Sequence, residues 1–386
     1  MKNKISQIVG DAKLSIIREM AIRATRYDNV ISLGIGEPDF NTPEDICRTA
    51  LADAIAGHTH YVTGFGDPEL TKELRQSILS TRGIELSPEQ IIITHGAMGA
   101  ILSYMRTILS DGEEVIVFDP YFPPYRDHVR YAGGKIITVP TRFENKFVPE
   151  PDILEKAITS KAKVILLNSP NNPTGSVIPP SVLDEIACLV IKHDLLVLSD
   201  EVYDRILFDG NHESIYTRPG MAERTVVLNT FSKYYAMTGW RVGYAYGPAW
   251  IMKNLIKAVL NATAGTSSVS QRAALAALRA DPEQFEIMVQ KYKARCDFIY
   301  NRLQKIKGLK AHPPVGSFYL LADLSGLTKD TEKFAMDLLD QQQVVVIPGS
   351  DFGPSAQHYI RLAGTVGMAK LSEAMDRIEK FIADNY

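Results

Sequence analysis

The apolar and polar positions divide the chain into three regions. To about Arg26, apolar residues recur at helical spacing (Ile8, Leu14, Ile17, Met20, Ala21), which predicts an N-terminal helix. A Gly- and Pro-rich segment follows from Ser32 to Pro43. The middle of the chain then alternates short apolar runs with helical patterns. Strands are predicted at Ile91–Thr94, Val115–Phe118, Ile136–Val139, Val164–Leu167, Leu195–Leu198, Thr225–Leu228 and Val242–Tyr246. Helices are predicted at Ala97–Leu109, stopping at Asp111-Gly112, and at Val182–Ile191. Runs that are apolar throughout and separated by helices predict an α/β fold with a mostly parallel sheet covered on both faces. The last hundred residues differ. A long charged helix, about Pro282 to Ile306, leads to shorter strands at Phe318–Ala322 and Val344–Val346 and a final helix from about Ala369 to Ile382. These read as a smaller α+β domain, against which the N-terminal helix is expected to pack.

Length and charge narrow the classes of function. A chain of 386 residues is long enough for two domains. The net charge of −3 and the absence of long like-charge blocks argue against a general nucleic-acid or membrane-surface binder. Cys47, Cys188 and Cys296 are odd in number and far apart, so neither a disulfide framework nor a CxxC metal site is suggested. The eight histidines form no metal-ligand pattern. The N-terminus lacks a continuous apolar h-region, and Lys192, His193 and Asp194 interrupt the apolar stretch Ile186–Leu198. A cytoplasmic protein bound to neither membrane nor nucleic acid is the expectation.

Ligands of an open α/β sheet bind beyond the carboxyl ends of its strands. The segments that follow the predicted strands are His95-Gly96-Ala97-Met98, Asp119 to Tyr125, Asn168 to Gly175, Ser199 to Tyr203 and Asn229 to Tyr235. They supply a glycine at a helix start, an aromatic pair, an amide, a carboxylate with a phenol three residues on, and a lysine flanked by hydroxyls. Each alone is commonplace: a turn glycine, a surface lysine, an N-capping aspartate. Together they match one demand. A lysine nucleophile forms a Schiff base with an aldehyde cofactor, and a carboxylate holds the pyridine nitrogen protonated so that the ring draws off electrons. Amide and phenol donors serve its phenolic oxygen, an aromatic face stacks on the ring, and helix N–H groups, hydroxyls and an arginine take its phosphate.

At this point the chain resembles the fold-type I, class I/II aminotransferases that use pyridoxal 5′-phosphate, the aspartate and aromatic aminotransferase family. The most specific pieces are SPNNPTG (Ser169 to Gly175), SDEVY (Ser199 to Tyr203) and FSKYYAMTGWRVGY (Phe231 to Tyr244). SLGIGEPDF (Ser32 to Phe40), the tyrosine of HTHYVTGFGDPELTKELR and IRLAG (Ile360 to Gly364) agree as well. The resemblance implies that Lys233 is the Schiff-base lysine and acid/base, Asp200 the pyridine-nitrogen partner, and Tyr203 and Asn172 the partners of the phenolic oxygen. It implies Phe122 as the stacking ring, with Tyr121 the other candidate. Gly96, Ala97 and Met98 fall at the phosphate-binding helix start, with Arg241 and the hydroxyl of Thr230 or Ser232. Tyr61 resembles the tyrosine that reaches the neighbouring subunit's phosphate, which implies a homodimer. Arg361, helped by Gly36 and Asn172, resembles the clamp on the substrate α-carboxylate. The implied large cofactor domain covers residues 46–284, and a small discontinuous domain takes 1–45 and 285–386.

One departure is Met98, where many family members carry Ser or Thr; its side chain cannot donate to a phosphate. Arg361 has a second reading as a surface ion pair, and Tyr61 and Phe122 as packing residues. His95 adjoins the phosphate loop, Trp240 packs beside the lysine loop, and Thr266-Ser267-Ser268 offers hydroxyls near an expected dimer interface. Tyr125, Tyr234 and Phe352 are candidates for an aromatic-tolerant pocket or for packing. The expected reaction is transfer of an amino group from an amino acid to a 2-oxo acid with ping-pong kinetics. A C–S β-lyase on the same fold is the alternative, and a cofactor-binding regulatory module is a third reading that the absence of a basic DNA-binding segment disfavours. The donor amino acid stays open among aspartate, aromatic residues, alanine and methionine.

Overall fold

The computed structural model describes residues 4–10, 14–62 and 64–386. Residues 11–13, inside the stretch expected as one N-terminal helix, lie outside the described residues. On either side stand two helices, α1 (Gln7–Gly10) and α2 (Ile16–Ala24), in place of the single helix expected.

Among the described residues, thirteen strands follow in chain order: β1 (Ile31–Ser32), β2 (Ile91–Thr94), β3 (Glu114–Asp119), β4 (Lys135–Pro140), β5 (Ala162–Asn168), β6 (Leu196–Asp200), β7 (Thr225–Thr230), β8 (Gly243–Tyr246), β9 (Lys310–Ala311), β10 (Tyr319–Asp323), β11 (Val344–Val345), β12 (Ile347–Pro348) and β13 (Tyr359–Ala363). The further helices are α3 (Glu44–Ile55), α4 (Pro68–Arg82), α5 (Gly96–Ile108), α6 (Pro124–Tyr131), α7 (Pro151–Ala157), α8 (Pro180–Lys192), α9 (Ala249–Thr263), α10 (Ser268–Arg279), α11 (Glu283–Leu303), α12 (Thr331–Gln342) and α13 (Met368–Asn385).

Strands β2 to β8 form a seven-stranded sheet in the order β2-β8-β7-β6-β5-β3-β4, within which β8 runs against its neighbours. Alternate residues of one strand reach opposite faces. Val115 and Val117 of β3, with Val164 and Leu166 of β5, enter one core together with Ile101 and Met105 of α5. Ile116 and Phe118, with Ile165 and Leu167, enter a second core with Leu183, Ile186 and Val190 of α8. Both faces are therefore buried, which is why these strands read as unbroken apolar runs.

The rest of the chain builds an antiparallel sheet, β12-β13-β10-β9, against α11 and α12, with α13 packed on those two helices. Strand β1 pairs in parallel with β11, Ile31 opposite Val344, which ties residues near the chain's start to its last third. Helix α2 packs on β11 and β12, as expected of the N-terminal helix. Among the described residues, no helix is long and apolar enough to cross a membrane.

Register also sets the site. Asn168 of β5 lies beside Asp200 of β6, which lies beside Leu228 of β7. The chemistry-bearing segments thus leave the sheet side by side at one edge.

Next to Asp200, Glu201 is turned into a buried ionic network. One of its oxygens accepts from Ser199 Oγ at 2.8 Å and from Ser214 Oγ at 2.6 Å; the other meets Arg82 and His212. Burial works against the carboxylate, but Arg82 and His212 outweigh it and hold Glu201 far below the usual carboxylate range. Arg82 also bonds Asp204. Removing one partner of a buried pair strands the other charge. Arg82→Met is therefore expected to lower stability by about 3–5 kcal/mol, read by urea unfolding; a loss within about 1 kcal/mol would show that the pair behaves as a surface bridge.

Candidate active site

A cavity of about 240 Å³ opens at the carboxyl ends of the central strands. Lys233, three residues past β7, stands in its wall with its Nζ donating to the Gly36 carbonyl oxygen at 2.6 Å. Gly36 belongs to the loop after β1, so this contact joins the large sheet's edge to the chain's N-terminal part.

Asp200 ends β6 and is buried. Its Oδ2 accepts from the Tyr125 hydroxyl at 2.6 Å and its Oδ1 from the Val202 backbone N–H at 3.3 Å. Burial pushes its carboxyl up to about 6, with those two hydrogen bonds opposing the rise. Asp200 and Glu201 thus face different surroundings and are driven in opposite directions. Tyr203 lies in the same cavity wall, its hydroxyl 3.1 Å from that of Tyr319, and burial holds its phenol well above its ordinary value.

Arg361 projects from β13 and is 1% exposed. Its Nη1 donates to Asn172 Oδ1 at 2.9 Å and its Nη2 to the Gly34 carbonyl. The rings of Tyr319 and Phe352 lie 4.4 and 4.8 Å from the guanidinium carbon. Its partners are an amide and a backbone carbonyl rather than carboxylates, so the surface-ion-pair reading falls. Among the described residues, its buried Nε has no partner. Burial lowers its pKa, and the cation stands ready for an anion. Asn172 is held in turn by its backbone N–H on Asn168 Oδ1 at 2.9 Å.

At the other end of the cavity, α5 begins at Gly96, whose φ is +60°. A Cβ there would come 2.9 Å from Arg241 Nη2, so the missing side chain lets the guanidinium close over the helix start. Ala97 and Met98 line the cavity in the first turn. Thr230 Oγ1 bonds Ser232 Oγ at 3.0 Å and the Val242 carbonyl oxygen at 3.1 Å, and both hydroxyl residues line the cavity. Helix N–H groups, two hydroxyls and a guanidinium form a site for a doubly charged anion.

The other sequence candidates divide between the cavity and its surroundings. Phe122 lines the cavity, edge-on to Tyr125 with ring centroids 5.6 Å apart, whereas Tyr121 faces a separate small void. Tyr125 lines the cavity and is bound there to Asp200. Tyr234 points away, bonded to Arg205 and Glu286, and Phe352 is fully buried against Arg361. His95 precedes α5 without lining the cavity; burial, then Arg241, lower its pKa. Trp240 donates to Thr42 Oγ1. Ser267 caps α10. Tyr61 is 87% exposed and does not line its own chain's cavity. Tyr319, which touches Tyr203 and Arg361, was not among the sequence candidates; the run Phe318–Ala322 reads only as a strand.

Known proteins resemble this chain in sequence and fold. The model of the family "Aminotransferase class I and II" matches residues 28–378. The chain is 39% identical to the aromatic-amino-acid aminotransferase 2 of Thermococcus litoralis and 40% identical to the aspartate aminotransferase of Pyrococcus abyssi, in each case over 96% of both chains. It superposes on the solved structure of Thermus thermophilus aspartate aminotransferase with maleate at a TM-score of 0.93 and 35% identity, covering 98% of this chain and 100% of that one. These likenesses favour transamination over the lyase alternative, and with the family model matched from one end of the fold to the other, the chain belongs to the aminotransferase class I and II family.

Proposed function

We propose that this aminotransferase moves an amino group from an L-amino acid to a 2-oxo acid on pyridoxal phosphate held at Lys233. One observation carries the reading: Lys233 Nζ, the buried Asp200 carboxylate and the carboxylate-free Arg361 guanidinium share one cavity of about 240 Å³. The residues fit the cofactor. The Cβ-free Gly96 beneath Arg241 leaves a cradle for its phosphate, Thr230 and Ser232 add hydroxyls, and Asp200 offers a carboxylate for its ring nitrogen. Tyr203 and Asn172 would serve its phenolic oxygen and Phe122 its ring face. When bound, the cofactor supplies an aldehyde for amine capture and a protonated ring that draws electron density from the substrate α-carbon.

The protein's own groups then have separate tasks. Arg361 and Asn172, with the Gly36 loop, hold the substrate α-carboxylate. That contact fixes the α-carbon, and the Lys233 amine takes its proton. Asp200, although pushed up to about 6, lies where a cationic partner would return it to the carboxylate form.

The cavity's three cations, Lys233, Arg241 and Arg361, are all taken up by these tasks, and Ile17 and Ile101 supply apolar wall. This supports an apolar or aromatic amino acid as the preferred donor. A panel of donors tested against 2-oxoglutarate and pyruvate, read by loss of the visible absorbance, is expected to rank aromatic donors above aspartate. If no donor discharges the colour, transamination is the wrong reaction; pyruvate and ammonia released from cystathionine would mark a lyase.

Gly96→Ala tests the phosphate end. A left-handed backbone costs a non-glycine residue about 1–2 kcal/mol, and the new methyl group displaces Arg241. The expected result is a loss of about tenfold in pyridoxal phosphate affinity by fluorescence titration; unchanged affinity would place the phosphate elsewhere.

We further propose that the protein works in the cytoplasm as a homodimer, with the large unit at 46–284 and the small one at 1–45 and 285–386. The outward position of Tyr61, together with the exposure of Leu51 and Ile55 on α3, supports its service to a second copy.

A further inference from the structure

Tyr319 lies at the junction of the two halves of the site. It sits on β10 opposite Ala363 and therefore diagonally across from Arg361 on the same face. Its ring covers the Arg361 guanidinium at 4.4 Å, and its hydroxyl lies 3.1 Å from the Tyr203 hydroxyl. The Tyr203 and Tyr319 rings meet edge to face at 5.8 Å. Both tyrosines are buried, at 3% and 2% exposure. The hydroxyl also occupies the space above Gly36: a Cβ on Gly36 would come 1.6 Å from it. Gly36 is the residue whose carbonyl receives Lys233 Nζ. One side chain thus touches the carboxylate-binding arginine, the phenol facing the cofactor and the loop that receives the lysine.

We propose that Tyr319 is a positioning residue that couples the substrate-carboxylate site to the cofactor site: its hydroxyl orients the Tyr203 phenol, and its ring seats the Arg361 guanidinium. The inference rests on the transaminase reading given above. The physical argument concerns direction. Tyr203 has one proton to donate. If that proton goes to the cofactor's phenolic oxygen, the 3.1 Å contact is filled only by Tyr319 donating to the Tyr203 oxygen. A phenol that accepts a hydrogen bond becomes a stronger donor, because hydrogen bonds in a chain polarise one another. Tyr319 therefore strengthens the Tyr203 donation without touching the phenolic oxygen. The ring contributes separately. Arg361 is a buried cation whose partners are neutral, and the faces of Tyr319 and Phe352 offset part of its desolvation and fix the plane of its fork.

The two parts separate by substitution. Tyr319→Phe keeps the ring and removes the hydroxyl; Tyr319→Leu removes both. The first readout is the pH titration of the visible absorbance of the pyridoxal phosphate-loaded protein, whose midpoint reports how strongly the phenolic oxygen is stabilised. The second is the Kd of maleate, a non-reacting carboxylate, measured calorimetrically on the same loaded protein. Tyr319→Phe is expected to raise the absorbance midpoint by about half a pH unit and to leave maleate affinity within about twofold of wild type. Tyr319→Leu is expected to raise the midpoint similarly and to weaken maleate by about tenfold. A Tyr319→Phe titration that overlays wild type overturns the coupling. So does a Tyr319→Phe variant that loses maleate affinity as far as Tyr319→Leu does, since that pattern is general loosening. If Tyr319→Leu does not fold, the Phe variant still decides on its own scale: an unshifted midpoint, or maleate affinity weakened by about tenfold, overturns the coupling. Failure of the underlying reading looks different: wild type itself would then show no titrating visible band.

Discussion

Lys233→Ala is expected to lower kcat/KM for transamination by a factor of about 10,000 or more while leaving the fold intact. The size follows from the two tasks placed on one amine, cofactor linkage and transfer of the α-proton, neither of which a methyl group performs. The intact fold follows from the environment. Lys233 is partly exposed and its Nζ has a single hydrogen bond, to the Gly36 carbonyl oxygen. Losing it costs about 1 kcal/mol. Lys233→Arg sharpens the result. It keeps the positive charge beside Gly36, yet a guanidinium does not give up its proton near neutral pH. Both variants should be equally inactive and both should fold, as read by initial rates and by thermal unfolding. Activity within tenfold of wild type in Lys233→Arg would mean that charge, and not proton transfer, is what position 233 supplies.

What was legible in the sequence follows from how burial shapes a pattern. Strands β3, β5, β6 and β7 are covered on both faces, so they stand out as apolar runs, and the residues after each run are the ones the sheet gathers at its edge. That is how Asn172, Asp200, Tyr203 and Lys233 could be placed together before any coordinates. Helix α10 escaped because its N-terminal half buries polar side chains ahead of the apolar Ala273, Ala274, Leu275 and Ala277. Gln271 is 1% exposed, yet it accepts from the Asp67 N–H at 2.7 Å and donates to the Thr266 carbonyl at 2.8 Å. Arg272 beside it is satisfied by Asp53 at 2.6 Å. Helix α4 had clearer marks that were passed over: Asp67 as its cap, Pro68 in its first turn and Gly83 at φ +67° as its stop. Tyr125 and Tyr319 were illegible for a different reason. Their roles depend on which side chain lies across a gap, Asp200 for one and Tyr203 for the other, and neither spacing nor propensity encodes that. Tyr61 shows the converse. Its motif was recognisable, but its expected work lies on another copy of the chain.

The second large effect belongs to Arg361, where stability and function should part. Arg361→Met is expected to lower kcat/KM by about 1,000-fold without lowering the melting temperature of the free protein. The activity loss comes from a fully desolvated, two-pronged cation that nothing else in the cavity replaces; Lys233 and Arg241 are already engaged. The stability argument runs the other way. In the free protein the guanidinium is 1% exposed, its partners are neutral, and its Nε is unpaired among the described residues. Keeping such a charge out of water costs several kcal/mol. A methionine of similar length would relieve that cost between the Tyr319 and Phe352 rings, where a thioether packs well. Against this, Asn172 Oδ1 and the Gly34 carbonyl lose their donor, at about 1–3 kcal/mol each. The two contributions nearly cancel, and the unpaired Nε tips the balance toward the variant. Ligand linkage supplies the decisive measurement. At 100 times its Kd, a carboxylate ligand stabilises the protein that binds it by about 2.7 kcal/mol. Maleate added to the loaded wild-type protein should raise its melting temperature, and the same concentration should leave Arg361→Met unmoved. A variant that melts well below wild type and still shifts with maleate would place the carboxylate clamp at another residue.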